Sequence, residues 1–411
     1  MPEFLKLTPP NEAMQIFLTN LSAAPRKTET LPVLEAAGRV LAVDVYAIEQ
    51  LPAFCRSTVD GFAVQAASTF GASDSLPVYL KLVGESPMGG QPDFKISKGQ
   101  SAIIHTGGML PEGSNAVVMM EYTQEAGANE VEVQRAVSVG ENVIEPGEDV
   151  KPGELLLAAG KIITPAVIGG LMSQGIHEVE VVKPPRIGIL SSGDEVIEPH
   201  LVPKPGQVRD VNSFSLSALV KELGGEPVRL GVSSDREEDM RFRVKSAIQE
   251  CDALVITAGS SASVRDLTAR ILGEMGKPGV LVHGIRFRPG KPTILAVCDG
   301  KPAIGLPGNP VSALVVGGLF IKPMINHLLG REPMSPRPFV LAKLSSNTPS
   351  QAGKEEWFPV YLHQTEEGYI AEPIFYKSNL IFALAKADGL IRIPIDANGL
   401  EAGNVVEVYI R

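Results

Sequence analysis

Between Arg288 and Ala313 the chain reads RPGKPTILAVCDGKPAIGLPGNPVSA, two proline-glycine loops bracketing two apolar runs. The runs, Thr293 to Cys298 and Pro302 to Leu306, flank Asp299-Gly300, the dipeptide that closes tight hairpins. After the break at Pro307-Gly308, Asn309 suits a helix N-cap and Pro310 the first helical position. Val311 to Ile321 is then almost wholly apolar. A helix starting here turns its free N–H groups outward, and such a terminus attracts anions. Arg288 can grip an oxyanion with two donors, and Lys291 adds a point charge. The chemistry expected is oxyanion binding, although a proline-rich turn with solvated charges explains one such loop equally well.

A second group of residues is acidic. Asp194, Glu195, Asp235 and Asp266 fall in the segments SSGDE, SSD and AGSSASVRD, each rich in small residues. Carboxylates of this kind suit a hard cation such as Mg²⁺, which combines one or two of them with phosphate oxygens. Ser191, Ser192, Ser260, Ser261 and Ser263 can donate hydrogen bonds, and Gly193 and Gly259 let a ligand approach the backbone. Taken singly, Asp235 and Asp266 are equally explained as helix caps or first-turn charges. Further upstream, FCRSTVDGFAV carries Arg56, Ser57, Thr58 and Asp60 into an Asp-Gly turn. Thr106 precedes a Gly-Gly turn, and Asp149 lies in PGEDVKPGE. No Ser-His-Asp order, P-loop or dinucleotide glycine fingerprint is visible.

The elements that must hold these residues follow from periodicity. From Pro185 onward, strand-like Arg186 to Leu190, Pro227 to Gly231 and Ala253 to Thr257 alternate with helix-like Ser213 to Leu223, Arg236 to Gln249 and Leu267 to Met275. That alternation predicts a parallel sheet covered on both faces, with ligands outside the strands' carboxyl ends. Residues 51–142 carry short β-type runs at Val78 to Val83, Ser101 to Ile104, Ala116 to Met120 and Glu130 to Gln134. Strand signals return at Phe339 to Leu344, Phe358 to Leu362, Leu390 to Pro394 and Val405 to Ile410. Helical patterns cover Asn11 to Leu21 and Pro165 to Gln174, and Leu34 to Val45 reads as a short helical or extended piece. The chain therefore divides into a scaffold (1–50 and 143–181), an inserted β domain (51–142), an α/β domain (182–331) and a C-terminal β domain (332–411).

Composition narrows the partners. The 411 residues are 44% apolar and 20% charged, ordinary for a globular protein, and the formal net charge of −10 argues against nucleic acid. Cys55, Cys251 and Cys298 fit neither a disulfide framework nor zinc spacing, which suits a reducing cytoplasm. No export signal is visible, and no uninterrupted apolar stretch approaches transmembrane length, so no membrane association is expected.

In order, PAFCRSTVDGFAV, IIHTGGMLPEGSNAVVMME, GENVIEPGEDVKPGE, PRIGILSSGDEVIEPH with RDVNSFSL, then RPGKP and GLPGNPVSA resemble the motifs of the molybdopterin molybdenumtransferase family, which includes MoeA and the gephyrin E-domain. The likeness runs over essentially the whole chain. It implies a multidomain α/β plus β architecture: a doubly wound molybdopterin-binding-type α/β domain, an inserted mostly β domain, an elongated scaffold and a small C-terminal β-barrel-like domain. A homodimer is implied, with the cleft between the α/β domain of one subunit and the β insert of the other. The implied reaction takes adenylylated molybdopterin and molybdate, or tungstate, and yields molybdenum cofactor and AMP with Mg²⁺. Asp60, Thr106, Asp149, Glu195, Asp235 and Asp266 would be catalytic, the last three also holding the metal. Ser192, Gly193, Asp194, Gly259, Ser260, Ser261, Arg288, Lys291, Pro292, Pro307, Gly308, Asn309, Pro310 and Ser378 would bind substrate.

Three departures from that pattern stand out. TAGSSASVRD replaces glycines of the usual loop with Ala258 and Ser263. Pro359 stands where relatives often carry arginine, with Lys354 and Lys377 as substitutes. Gly284 stands where some have lysine, with His283 or Arg286 as compensation. The departures keep open a non-catalytic molybdopterin-binding scaffold. A third reading, an adenylyltransferase acting on molybdopterin, would need only the α/β domain, and the β insert and the C-terminal domain argue against it.

Overall fold

The computed structural model describes residues 7–22, 26–258, 262–334 and 336–410, with 262–265 described as helical backbone alone. The chain forms two compact units, residues 44–158 with 169–177, and the remainder. The segments expected to make one scaffold are shared between them.

In the larger unit, six strands form one sheet in the order Glu226–Ser233, Arg186–Ser192, Ala253–Ala258, Lys301–Pro307, Ile294–Cys298, Pro278–His283. The first four run parallel, as the alternating pattern predicts. The sheet is nevertheless mixed, because Ile294–Cys298 runs antiparallel to both its neighbours. The cause is the hairpin itself, since a two-residue turn can join only antiparallel strands. Asp299 and Gly300 both take positive φ, 50° and 84°, as a primed hairpin turn requires.

Alternating side chains send the sheet's apolar surface both ways. Ile187, Ile189, Val255, Ile304 and Leu306 pack with Leu216, Val220, Val311 and Phe320 from the helices Asn212–Glu222 and Pro310–Leu329. Leu190, Leu254, Ile256 and Ala296 pack with Met240, Val244, Ile271 and Leu272 from Glu237–Glu250 and Ala262–Glu274. The last helix begins earlier than the expected Leu267, so Asp266 lies in its second turn rather than in a loop at the sheet rim. Ala262 and Ser263 join the helix instead of extending the loop.

Helix Pro310–Leu329 runs 20 residues, past the expected Ile321 and through Pro323, and ends at Gly330 in the left-handed conformation. By length and composition alone it passes for a membrane span, although Lys322 interrupts its apolar run, so the expectation that no uninterrupted apolar stretch reaches that length stands. Its burial against the sheet marks it as a core helix.

Downstream, Phe339–Leu344, Glu355–Thr365, Gly368–Pro373, Gly389–Ile393 and Val405–Ile410 close into a small barrel through the Glu355–Thr365 and Gly389–Ile393 pairing. The two-residue strand Phe287–Arg288 adds to its outside, placing Arg288 beside Glu356. The α/β domain and the barrel are thereby stitched together at the oxyanion loop.

In the other unit a six-stranded sheet runs Ala116–Met119, Gly61–Val64, Gln100–Ile104, Val78–Glu85, Glu130–Val133, Thr123–Glu125. Gly61 opens a strand rather than serving as a turn residue. A Cβ there would collide with the Val118 carbonyl, so close strand approach explains the glycine. The Leu34 to Val45 piece forms turns and isolated bridges and ends in the two-residue strand Val45–Tyr46, with no helix.

Candidate active site

Two chambers open around the GLPGNP loop of the larger unit, and Gly308 and Asn309 line both. The first, of about 500 Å³, gathers Arg288, Lys291, Pro292, Pro307 and Ser378 with Ser312, Glu356, Tyr376 and Lys377. The second, of about 610 Å³, is walled by Ser191, Ser192, Glu195, Arg209, Asp210, Asn212 and Thr257 on its polar side. Val196, Pro203, Val208, Val211, Pro310 and Ile381 supply its apolar side.

The first chamber is cationic. Arg288 and Lys291 reach it from the loop before the hairpin, and Lys377 from the barrel domain. Arg288 is ion-paired through Nε to Glu356 at 3.3 Å; the Glu356 side chain is only 5% exposed. Ser350 Oγ donates to the other Glu356 oxygen at 2.7 Å. Burial, and after it the Glu356 charge, push the Tyr376 hydroxyl well above the usual phenol range.

The helix terminus differs from its expected form. Asn309 occupies the N-cap position but makes no side-chain cap. Its amide instead donates to Ser378 Oγ at 2.9 Å, and the Val311 N–H donates to the Ser378 carbonyl at 3.1 Å. Pro310 has no N–H, and the Ala313 N–H already reaches the Asn309 carbonyl. That leaves Ser312, which lines the chamber, as the terminal amide unengaged among the described residues. The terminus thus serves first to tether the barrel loop, and its anion-binding capacity is smaller than four free amides.

Around the second chamber, the loops at the strand ends are organised by carboxylates. Asp210, nearly buried, accepts from Ser191 Oγ (2.9 Å), the Ser213 N–H (3.0 Å) and Ser213 Oγ (2.5 Å). Asp239 accepts from the Ser234 N–H at 2.9 Å, which, with Arg243, lowers its pKa to about 2. Ser192 Oγ donates to Asp235 at 3.2 Å, and the Asp235 N–H donates to Asp194 at 3.1 Å. Gly193 makes room for the Glu195 carboxylate, which a Cβ at that position would crowd.

Ser192, Asp194, Glu195 and Asp235 are therefore brought to one rim. Asp266 is exposed on its helix and lines neither chamber. Among the described residues no three His, Cys, Asp or Glu side chains converge as a metal cluster, so Glu195, Asp235 and Asp266 do not form a ready ligand set. Gly259, Ser260 and Ser261 lie outside the described residues.

In the other unit, Asp60 Oδ1 accepts the Thr106 N–H at 2.9 Å, which holds the Asp60 carboxyl below the usual carboxylate range. His105 stands beside it, Nδ1 3.5 Å from Asp60 and Nε2 3.1 Å from Glu85. Asp149 is exposed, and its side chain shares no hydrogen bond with Asp60 or Thr106 among the described residues.

Of the substitutes for the missing arginine, Lys377 lines the first chamber, whereas Lys354 is bonded to Gln351 at 3.0 Å. Pro359 is buried in a barrel strand, and Arg286 donates to the Leu7 carbonyl, away from the chamber. Neither Arg286 nor His283 compensates for Gly284 there. Glu356, Tyr376 and Asp210 escaped the sequence reading. Asp210 lay within the RDVN segment and was open to discovery as an acid before a helix start. Nothing local marked Glu356.

Family models match nearly the whole chain: the MoeA N-terminal region (domain I and II) over 8–175, a probable molybdopterin binding domain over 188–327, and the MoeA C-terminal region (domain IV) over 341–410. A molybdopterin molybdenumtransferase of Bacillus subtilis is 32% identical over 93% of this chain and 90% of its own length. The Staphylococcus aureus protein of the same name is 29% identical over 98% and 95%. A crystal structure of the molybdopterin biosynthesis moeA protein from Pyrococcus horikoshii is 32% identical and covers 99% of this chain and 100% of its own, with a TM-score of 0.85. On sequence, domain order and fold alike, the chain belongs to the MoeA family.

Proposed function

We propose that this chain is a molybdopterin molybdenumtransferase that places molybdenum from molybdate on adenylylated molybdopterin and releases AMP. The observation that carries the reading is the pair of adjoining chambers, one cationic and one half apolar, sharing Gly308 and Asn309. Such a pair suits a small oxyanion next to a ligand with a flat ring and phosphates. Arg288, Lys291, Lys377 and Ser378 would hold molybdate. Val196, Val208, Pro310 and Ile381 would face the ring, and Ser192 and Asn309 would position the phosphates.

The chemical step breaks the phosphoanhydride. An oxygen of water or molybdate bonds to the adenylyl phosphorus while the bridging oxygen leaves with the molybdopterin phosphate. From water, AMP departs with that oxygen and protons are released, and the two dithiolene sulfurs then displace one molybdate oxygen, which leaves with their protons as water. From molybdate, the Mo–O bond to the transferred oxygen breaks as the two sulfurs bond to molybdenum, and the thiol protons are released. Protein positioning and charge supply most of such catalysis. Mg²⁺ would neutralise phosphate charge here, held by Glu195 and Asp235. One or two carboxylates plus phosphate oxygens is its ordinary complement, so a pre-formed cluster of three is not needed. Asp60 and Thr106 would complete the cleft from the partner copy of a homodimer.

Incubating the protein with adenylylated molybdopterin, Mg²⁺ and molybdate should give oxyanion-dependent AMP release with cofactor formation. No AMP would favour a scaffold; in a parallel tube of free molybdopterin and ATP, consumption of ATP would favour adenylylation.

A further inference from the structure

An anion chamber that contains a buried carboxylate needs an explanation. Glu356 lines the first chamber with its side chain 5% exposed, while its partner Arg288 is 57% exposed. Strand pairing sets Arg288 opposite Glu356, and Ser350 fixes the second carboxylate oxygen, so Glu356 is held rigidly. Arg288 contributes Nε to this pair, which leaves its terminal nitrogens unpaired among the described residues. A guanidinium anchored at Nε presents those nitrogens as a fixed fork.

The charges add up simply. Arg288, Lys291 and Lys377 bring three positive charges and Glu356 one negative, so the lining carries two net positive charges. We propose that Glu356 is the counter-charge of the oxyanion chamber, positioning Arg288 and lowering the chamber's net charge to match a tetrahedral dianion. The proposal rests on reading this chamber as the oxyanion site. Without Arg288, an unpaired Glu356 repels any anion that enters. Arg288 is then indispensable for two reasons, its own attraction and its screening of Glu356. Lys291 and Lys377 carry the affinity left when the pair is removed as a unit.

The test is calorimetric binding of sodium tungstate, and of perrhenate, a tetrahedral monoanion, to the full chain and to R288A, E356Q and R288A/E356Q. Glutamine keeps the volume and a polar oxygen facing Arg288, and thermal melting verifies that each variant folds. R288A should lose tungstate affinity by about tenfold or more, as expected when a charge partner is truncated and leaves its mate unpaired. E356Q should bind tungstate tighter than the parent and raise the tungstate-to-perrhenate ratio, which a purely structural role would leave unchanged. The double variant should recover the part of the R288A loss that comes from Glu356 repulsion, and so bind tungstate tighter than R288A. A double variant no tighter than R288A, or E356Q with weaker tungstate binding or an unchanged ratio, overturns the proposal. A parent chain that binds neither anion instead removes the oxyanion reading of the chamber, and the role of Glu356 falls with it.

Discussion

Lys291 and Lys377 come from the α/β domain and the barrel domain and line one chamber, where the resemblance implied an arginine at the position of Pro359. With that cation absent, each lysine should matter more. Lys291→Ala should raise the molybdate concentration needed for half-maximal AMP release by about ten- to a hundredfold, the loss expected for a hydrogen bond to a charged group. A change below threefold would show that Lys291 does not touch the oxyanion. Lys291 was legible because it sits in RPGKP, three residues from Arg288. Lys377 was legible only as one of two substitutes, since nothing in a linear chain says which of Lys354 and Lys377 faces the hairpin. Glu356 was not legible at all: its meaning comes from a two-residue parallel pairing across sixty-odd positions.

The loop Ser233–Asp235 shows how an element depends on one carboxylate. Asp239, in the first turn of the following helix, accepts the Ser234 N–H and both neighbouring hydroxyls, and it pairs with Arg243 at 3.1 Å. Its pKa is lowered to about 2 from 3.8, so its contribution to stability is complete above the unfolded value and is lost as pH falls through about 2. Asp239→Asn should lower stability by about 1–2 kcal/mol at neutral pH, as loss of a capping interaction does, and should flatten the acid limb of the stability profile between those values. Chemical denaturation at several pH values measures both, and an unchanged acid limb would assign the lost stability to another carboxylate. The core helix Pro310–Leu329 is an element of a different kind, held by packing. Phe320, 1% exposed, should cost about 3–5 kcal/mol on truncation to alanine, read as a fall in the denaturation midpoint.

At the scale of the molecule, the catalytic groups proposed from the β insert and those of the α/β domain lie in two separate compact units of the chain. The proposed dimer, in which each copy's insert completes the other's cleft, makes a sharp demand on mixed assemblies. Asp60→Asn and Glu195→Gln variants should each lose AMP release by about a hundredfold or more, in line with removal of a transition-state contact. Mixed after dissociation and reassembly, they should regain activity, because a heterodimer then holds one intact cleft. Continued inactivity, with heterodimers verified by mass, would place both residues in the cleft of a single copy.

By itself the sequence determined the alternating α/β order, the Asp299-Gly300 hairpin and the family, because each depends on local propensity or on motifs in fixed order. It also placed Arg288, Lys291 and the GLPGNP loop in one site, since a tight hairpin brings its two ends together whatever surrounds it. Tertiary structure alone decided the rest. It put Asp266 on a helix rather than at the rim, turned Asn309 from a cap into a tether for Ser378, and buried Glu356 against Arg288. Those outcomes turn on which distant side chain competes for a given hydrogen bond or charge. Such competition is settled by packing between domains, where spacing along the chain carries no information.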